Sequence, residues 1–101
     1  MKTYQMYIDG AWTDAANKET FESKNPYTGA PWAMIPRGQR EDADRAVAAA
    51  SRAFRSDDWA GMTASNRGHM LRKLGDLIAD NAEALARTEV QDNGKLFNEM
   101  F

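Results

Sequence analysis

There is no cysteine in this chain of 101 residues. That excludes a disulfide framework, a thiolate metal site and a thiol nucleophile supplied by this stretch. Histidine occurs once, as His69. No second histidine and no acid stands at ligand spacing from it, so a surface position is expected rather than a metal or base role. No apolar run approaches the roughly 20 residues of a membrane span. The opening MKTYQMYIDG carries one lysine and no apolar core, so it does not read as a secretory signal. Charge of one sign is also missing: 13 basic residues face 15 acidic ones, with a net charge of -2. A nucleic acid or an anionic membrane surface calls for a basic patch, so neither is expected as a partner, and the expected location is cytoplasmic. The glycines, at positions 10, 29, 38, 61, 68, 75 and 94, never form the closely spaced pair after a strand that cradles a pyrophosphate.

What is present is a folding sequence, 43% hydrophobic with three tryptophans and four phenylalanines, long enough for one small domain with a modest core. Residues 1–38 read as β-hairpins. Tyr4, Met6 and Ile8 alternate with Gln5 and Tyr7 in a period of two, which predicts a strand. Asp9-Gly10 offers a tight turn, with Trp12 and Thr13 on the returning strand. Thr20 to Ser23 resume an extended run. NPYTG at 25–29 is a turn: Asn25 can bond nearby backbone, Pro26 fixes φ, and Gly29 suits the left-handed position. Trp32 to Ile35 return as a strand, closed by Pro36 and Gly38.

Residues 39–101 read as helices. Arg40 to about Arg55 repeats Ala43, Ala46, Val47, Ala50 and Phe54 at steps of three and four, a packing face rich in small side chains. Glu41, Asp42 and Asp44 crowd its first turn, where acids suit the helix dipole, although Gln39 is a poor N-cap. DDWAGM at 57–62 reads as a loop anchored by Trp59. Thr63 can cap a second helix whose stripe is Met70, Leu71, Leu74, Leu77 and Ile78. Asn81 breaks that helix, a third follows from Ala82 to Asp92, and Gly94 ends it. The three tryptophans are expected where sheet and helices meet, and the three helices as one packed layer. LFNEMF begins an apolar pattern that stops at Phe101, so exposed apolar surface is expected from Leu74, Leu77, Val90, Phe97 and Phe101.

EVQDNGK at 89–95 holds a physical puzzle. Asp92 sits in the last turn of a helix, where the dipole already points negative charge outward. Its carboxylate is either solvated, paired with Lys24 or Lys95, or facing a bound cation.

Taken in order, YIDGAW, TFESKNPYTG, REDADRAVAAASRAF, NRGHMLRKLGDLI and EVQDNGK resemble the N-terminal portion of the NAD(P)-dependent aldehyde dehydrogenases. The resemblance runs from Tyr7 to Lys95 and rests on all five pieces at matching spacing. It implies an α/β fold, with N-terminal β-hairpins and about three helices forming the first part of a Rossmann-like cofactor domain. It also implies an intact enzyme of several hundred residues, a homodimer or homotetramer, using NAD or NADP to oxidise an aldehyde to an acid. In that family a cysteine thiolate attacks the aldehyde and a glutamate activates the hydrolytic water. Both lie outside this stretch, so no catalytic and no cofactor-binding residue is assigned here, and the chain alone is expected to be inactive. The resemblance further implies a monovalent cation site, K⁺ or Na⁺, held by backbone oxygens of Ser23 and Lys24 and by the Asp92 carboxylate. An alternative is a stand-alone, non-catalytic binding or scaffold module derived from the same family.

Overall fold

Two hairpins begin the chain, each closed by residues able to adopt left-handed backbone. The structure, a computed structural model, describes residues 1–100. Strand β2 (Met6–Ile8) pairs antiparallel with β3 (Ala11–Thr13), placing Tyr7 opposite Trp12. Asp9 at φ 54° and Gly10 at φ 76° form the connecting turn. Two successive left-handed residues give the type I′ geometry whose twist matches a tight hairpin. Strand β4 (Thr20–Lys24) pairs antiparallel with β5 (Pro31–Pro36) across the NPYTG turn. There Asn25 Oδ1 accepts from the Tyr27 N–H at 2.9 Å, and Gly29, at φ 72°, donates its N–H to the Asn25 carbonyl at 2.7 Å.

The first expected strand divides into two. Strand β1 (Lys2–Thr3) lies parallel to β5, giving a sheet ordered β1-β5-β4, and the Tyr4 N–H donates to the Met34 carbonyl at 2.9 Å. Only from Met6 does the chain serve the β2–β3 hairpin. A period-two pattern is blind to such a crossing, because both segments are extended.

The helices are α1 (Arg40–Arg55), α2 (Asp57–Ala60), α3 (Ala64–Asp80), α4 (Ala82–Asn93) and α5 (Phe97–Met100). The segment read as a loop at 57–62 contains the single turn α2. Thr63 Oγ1 accepts from the Asn66 N–H at 3.1 Å, the expected cap of α3. Asn81 serves as C-cap of α3 and N-cap of α4.

Packing departs further from expectation. Helix α1 rests on β2, α4 rests on β4 and α3 meets α4, though α3 buries none of its residues. On α1 the buried side is Asp42 and Ala49, while Val47 and Phe54 are exposed. Small side chains let the helix approach β2; the large ones point elsewhere. Trp12 is 68% exposed and meets Tyr7 edge to face rather than anchoring sheet to helix. Leu74 and Leu77 are exposed as expected, whereas Val90 and Phe97 are half-buried; Phe101 lies outside the described residues.

Among the described residues the buried apolar side chains are Ala15, Ala33, Ala49 and Ala86. The molecule is a slab of 48 × 37 × 15 Å with a radius of gyration of 17.0 Å. A compact domain of about 100 residues has a radius near 13 Å. The difference is that of a structure without a filled centre.

Among the described residues, the one buried ionisable side chain does the joining that a core would otherwise do. Asp42, 2% exposed, accepts from the Gln39 N–H at 2.9 Å and from the Ala16 N–H at 2.9 Å, and pairs with Arg45 at 3.1 Å. It thereby caps α1 from inside the helix and ties the β3–β4 connection to the helix start. Its carboxyl is held below the ordinary 3.8, by the Gln39 N–H first, then by the Ala16 N–H, against the opposing effect of burial, with Arg45 adding to the lowering. Because the folded chain binds this proton less readily than the unfolded one, Asp42 stabilises the fold above pH 3.8. That contribution fades as pH falls through the depressed folded value. Asp42→Asn is therefore expected to lower the melting temperature at neutral pH and to flatten its decline on the acid side, read from circular-dichroism melts across that range. An acid limb unchanged by the substitution would contradict this account.

Candidate functional site

The end of α4 and the turn between β4 and β5 meet face to face. Gly94, at φ 73°, closes the helix in the left-handed conformation, its N–H donating to the Val90 carbonyl at 2.9 Å. Asn93 Oδ1 accepts from the Lys95 N–H at 2.9 Å. A methyl group placed on Gly94 would lie 2.9 Å from Pro26 Cγ. The glycine is thus needed twice, for its φ and for its close approach to the NPYTG turn.

This contact brings together two of the residues singled out in the sequence. The Ser23 hydroxyl, on β4, donates to Asp92 Oδ1 at 2.6 Å across 69 positions of chain. Lys24 follows on the same strand, where the ladder shifts register between Ser23 and Lys24, opposite Pro31. Pro31 has no N–H to give the strand facing it. Among the described residues neither Lys24 nor Lys95 forms an ion pair with Asp92. The partner is a neutral hydroxyl, which brings no positive charge to the negative end of the α4 dipole.

Beside this corner lies an open cleft of about 460 Å³ between β5 and α4, lined among others by Tyr4, Trp32, Ile35, Glu89 and Asp92. Trp32 meets the Tyr4 ring edge to face at 5.9 Å, and its buried Nε1 has no hydrogen-bond partner among the described residues. The cleft offers carboxylates and aromatic surface, but no thiol or imidazole with which to form a covalent intermediate. Elsewhere among the described residues no three of His, Cys, Asp or Glu converge as a metal site. His69 is exposed on α3.

Sequence reasoning missed two contacts, one at the start of α1 and one at this corner. Asp42 was legible only as an acid in a first turn, although its place three residues after Gln39 is where a capping-box partner stands. Nothing in the sequence paired Pro26 with Gly94, since a contact across that distance leaves no local pattern.

Comparison with known proteins decides what this corner belongs to. The profile of the aldehyde dehydrogenase family matches residues 12–101. The chain belongs to the aldehyde dehydrogenase family. It is 43% identical over 99 residues to (Z)-2-((N-methylformamido)methylene)-5-hydroxybutyrolactone dehydrogenase of Acinetobacter baylyi, covering 98% of this chain and 20% of that protein. It is 45% identical over 92 residues to mitochondrial aldehyde dehydrogenase of Equus caballus, covering 90% of this chain and 18% of the other. A crystal structure of betaine aldehyde dehydrogenase from Staphylococcus aureus in complex with NAD⁺ superposes with a TM-score of 0.90 at 44% identity, covering 95% of this chain and 19% of that one. The chain spans about a fifth of the length of these relatives.

Gly94→Ala imposes a left-handed alanine and a clash with Pro26 at once. It is expected to cost about 1–3 kcal/mol of stability, measured by urea unfolding. Gly68→Ala, with nothing within 4 Å of the new methyl, is expected to stabilise instead or change little.

Proposed function

We propose that this chain is the N-terminal part of the cofactor-binding domain of an NAD(P)-dependent aldehyde dehydrogenase, with hairpins at 1–38 and the helical segment at 39–101. The observation that carries this reading is the superposition of 95% of the chain onto 19% of an NAD⁺-bound family member. The lack of a core supports it too: four buried alanines suit a piece built to rest on a larger body better than a stand-alone scaffold module.

In the intact enzyme the nicotinamide of NAD or NADP takes the hydride from the aldehyde, and the acid is the product. The nucleophilic cysteine, the glutamate that activates water and the glycine-bearing turn that holds the cofactor belong to the rest of the polypeptide. This chain supplies no catalytic and no cofactor-binding residue. Its own task is positional, to brace the cofactor sheet. Assembly as a homodimer or homotetramer and a cytoplasmic location complete the reading. No helix among the described residues is long and apolar enough to cross a membrane, which is compatible with that location.

The corner of Ser23, Lys24 and Asp92 fits a monovalent cation, K⁺ or Na⁺. A carboxylate with only a neutral donor at a helix C-terminus is supported by a nearby positive charge, and oxygen donors suit a hard cation. The Ser23 hydroxyl can keep its hydrogen on Asp92 while backbone oxygens of Ser23 and Lys24 face the ion.

Two measurements test this reading. Genomic sequence beyond codon 101 is expected to continue in frame to a glycine-bearing strand-to-helix turn and then to a cysteine, while the isolated chain with NAD⁺ and an aldehyde produces no NADH absorbance. A stop codon there together with a cooperative, monomeric melt would move the protein to the scaffold class. Separately, KCl is expected to raise the melting temperature more than tetramethylammonium chloride at equal ionic strength, and Asp92→Ala to abolish the difference. Equal shifts from both salts remove the cation from this corner.

A further inference from the structure

Asparagine stands at positions 17, 25, 66, 81, 93 and 98, and only Asn93 is followed by glycine. That pairing carries a chemistry of its own. The backbone nitrogen after an asparagine can attack the side-chain amide carbon, and the residue that owns the nitrogen governs the approach. A β-carbon crowds the attack and narrows the dihedrals that permit it, whereas glycine does neither. Asp9-Gly10 has the same glycine. Its carboxylate is a poorer electrophile than an amide, and Arg52 holds it at 3.2 Å.

At the end of α4 the electrophile is set and the nucleophile is withheld. Asn93 Oδ1 accepts from the Lys95 N–H at 2.9 Å. This bond folds the side chain over the peptide that follows it and draws electron density from its carbonyl carbon. The leaving nitrogen, Nδ2, has a long contact of 3.7 Å to Met100 Sδ. The Gly94 N–H is engaged with the Val90 carbonyl at 2.9 Å, which keeps Asn93 in helical backbone and the nitrogen out of the reaction. Two neighbours hold that arrangement. Pro26 Cγ would lie 2.9 Å from a carbon added to Gly94, and the Ser23 hydroxyl donates to Asp92 Oδ1 at 2.6 Å.

We propose that Asn93–Gly94 is a self-modifying site: the chain deamidates there when the end of α4 opens, and the product keeps α4 from closing on the NPYTG turn again. The Gly94 nitrogen gives its proton to solvent and bonds to Asn93 Cγ. The Cγ–Nδ2 bond breaks, and the nitrogen leaves as ammonia with a proton from solvent. Water then opens the cyclic imide at either carbonyl, giving aspartate or isoaspartate at position 93. Water is the only co-reactant, and no electron is transferred. Isoaspartate adds a backbone carbon, about 1.5 Å of chain, between Asp92 and Gly94. The approach to Pro26 has no room for that insertion. Aspartate instead adds a second negative charge beside Asp92, at the negative end of the helix dipole. The proposal rests on the contact of α4 with the β4–β5 turn and is independent of the reading of the chain as part of an enzyme.

The test incubates the 101-residue chain in mildly alkaline buffer, with and without urea, and follows each asparagine by peptide mapping and mass spectrometry. Isomerisation at Asp9 leaves the mass unchanged and so is not confused with the event at Asn93. In urea, position 93 is expected to deamidate at least about tenfold faster than any other asparagine, and in native buffer at least about tenfold more slowly than in urea. Ser23→Ala is expected to speed the native reaction about threefold or more while leaving the urea rate unchanged. Pro26→Ala removes the other half of the contact and answers the same question should Ser23→Ala fail to fold. The deamidated protein, separated by its added charge, is expected to melt at a lower temperature, and Ser23→Ala to lower it little further. Equal rates at Asn93 with and without urea overturn the proposal. So does a urea rate at Asn93 no faster than at the other asparagines. Folded variants at Ser23 and Pro26 that deamidate at the parent rate also overturn it, as does a deamidated chain that melts with the parent.

Discussion

The constraint beneath everything in this structure is a shortage of burial. Four alanines and one aspartate are what the described residues place out of water. Burying a large aliphatic or aromatic side chain stabilises a fold by about 1.5–3 kcal/mol, and a domain ordinarily sums many such contributions against conformational entropy. Here few are available among the described residues. Shape is therefore held mostly by directional contacts: turns with left-handed residues, caps, and two long-range polar links.

Those links are placed where they matter. Asp42 gathers the start of α1 and the β3–β4 connection around one carboxylate. Ser23 and Asp92 join the second hairpin to the end of the helical segment. Exposed ion pairs such as Arg52 with Asp9 and Arg87 with Glu83 add little, because water and salt screen them. Asp42 differs from these pairs by burial and geometry rather than charge, since it combines two backbone donors with a nearly complete exclusion of solvent.

Much of the fold was legible beforehand because its signals are local. Asp9-Gly10, NPYTG, Thr63, Asn81 and Gly94 each act within a few residues, and each sits where the reading placed it. The aldehyde dehydrogenase resemblance was legible for the same reason, as an ordered series of such corners. The misses share the opposite property. The parallel pairing of β1 with β5 and the exposure of Trp12 and Phe54 depend on where distant segments lie. An amphipathic pattern says that a face seeks a partner; it does not say whether that partner is in the same stretch of chain. At the candidate site, the Ser23–Asp92 juxtaposition came from family resemblance, whereas the Pro26–Gly94 contact that enforces it could be seen only in three dimensions.

The meeting of Pro26 with Gly94 makes the intervening polypeptide a noncovalent ring. Ring closure depends on length only logarithmically, with each doubling costing about 0.6 kcal/mol. Lengthening the exposed connection between α1 and α3 should therefore disturb the clasp far less than altering either of its two ends. Natural variation in size across such enzymes would be accommodated in the belt and forbidden at the buckle.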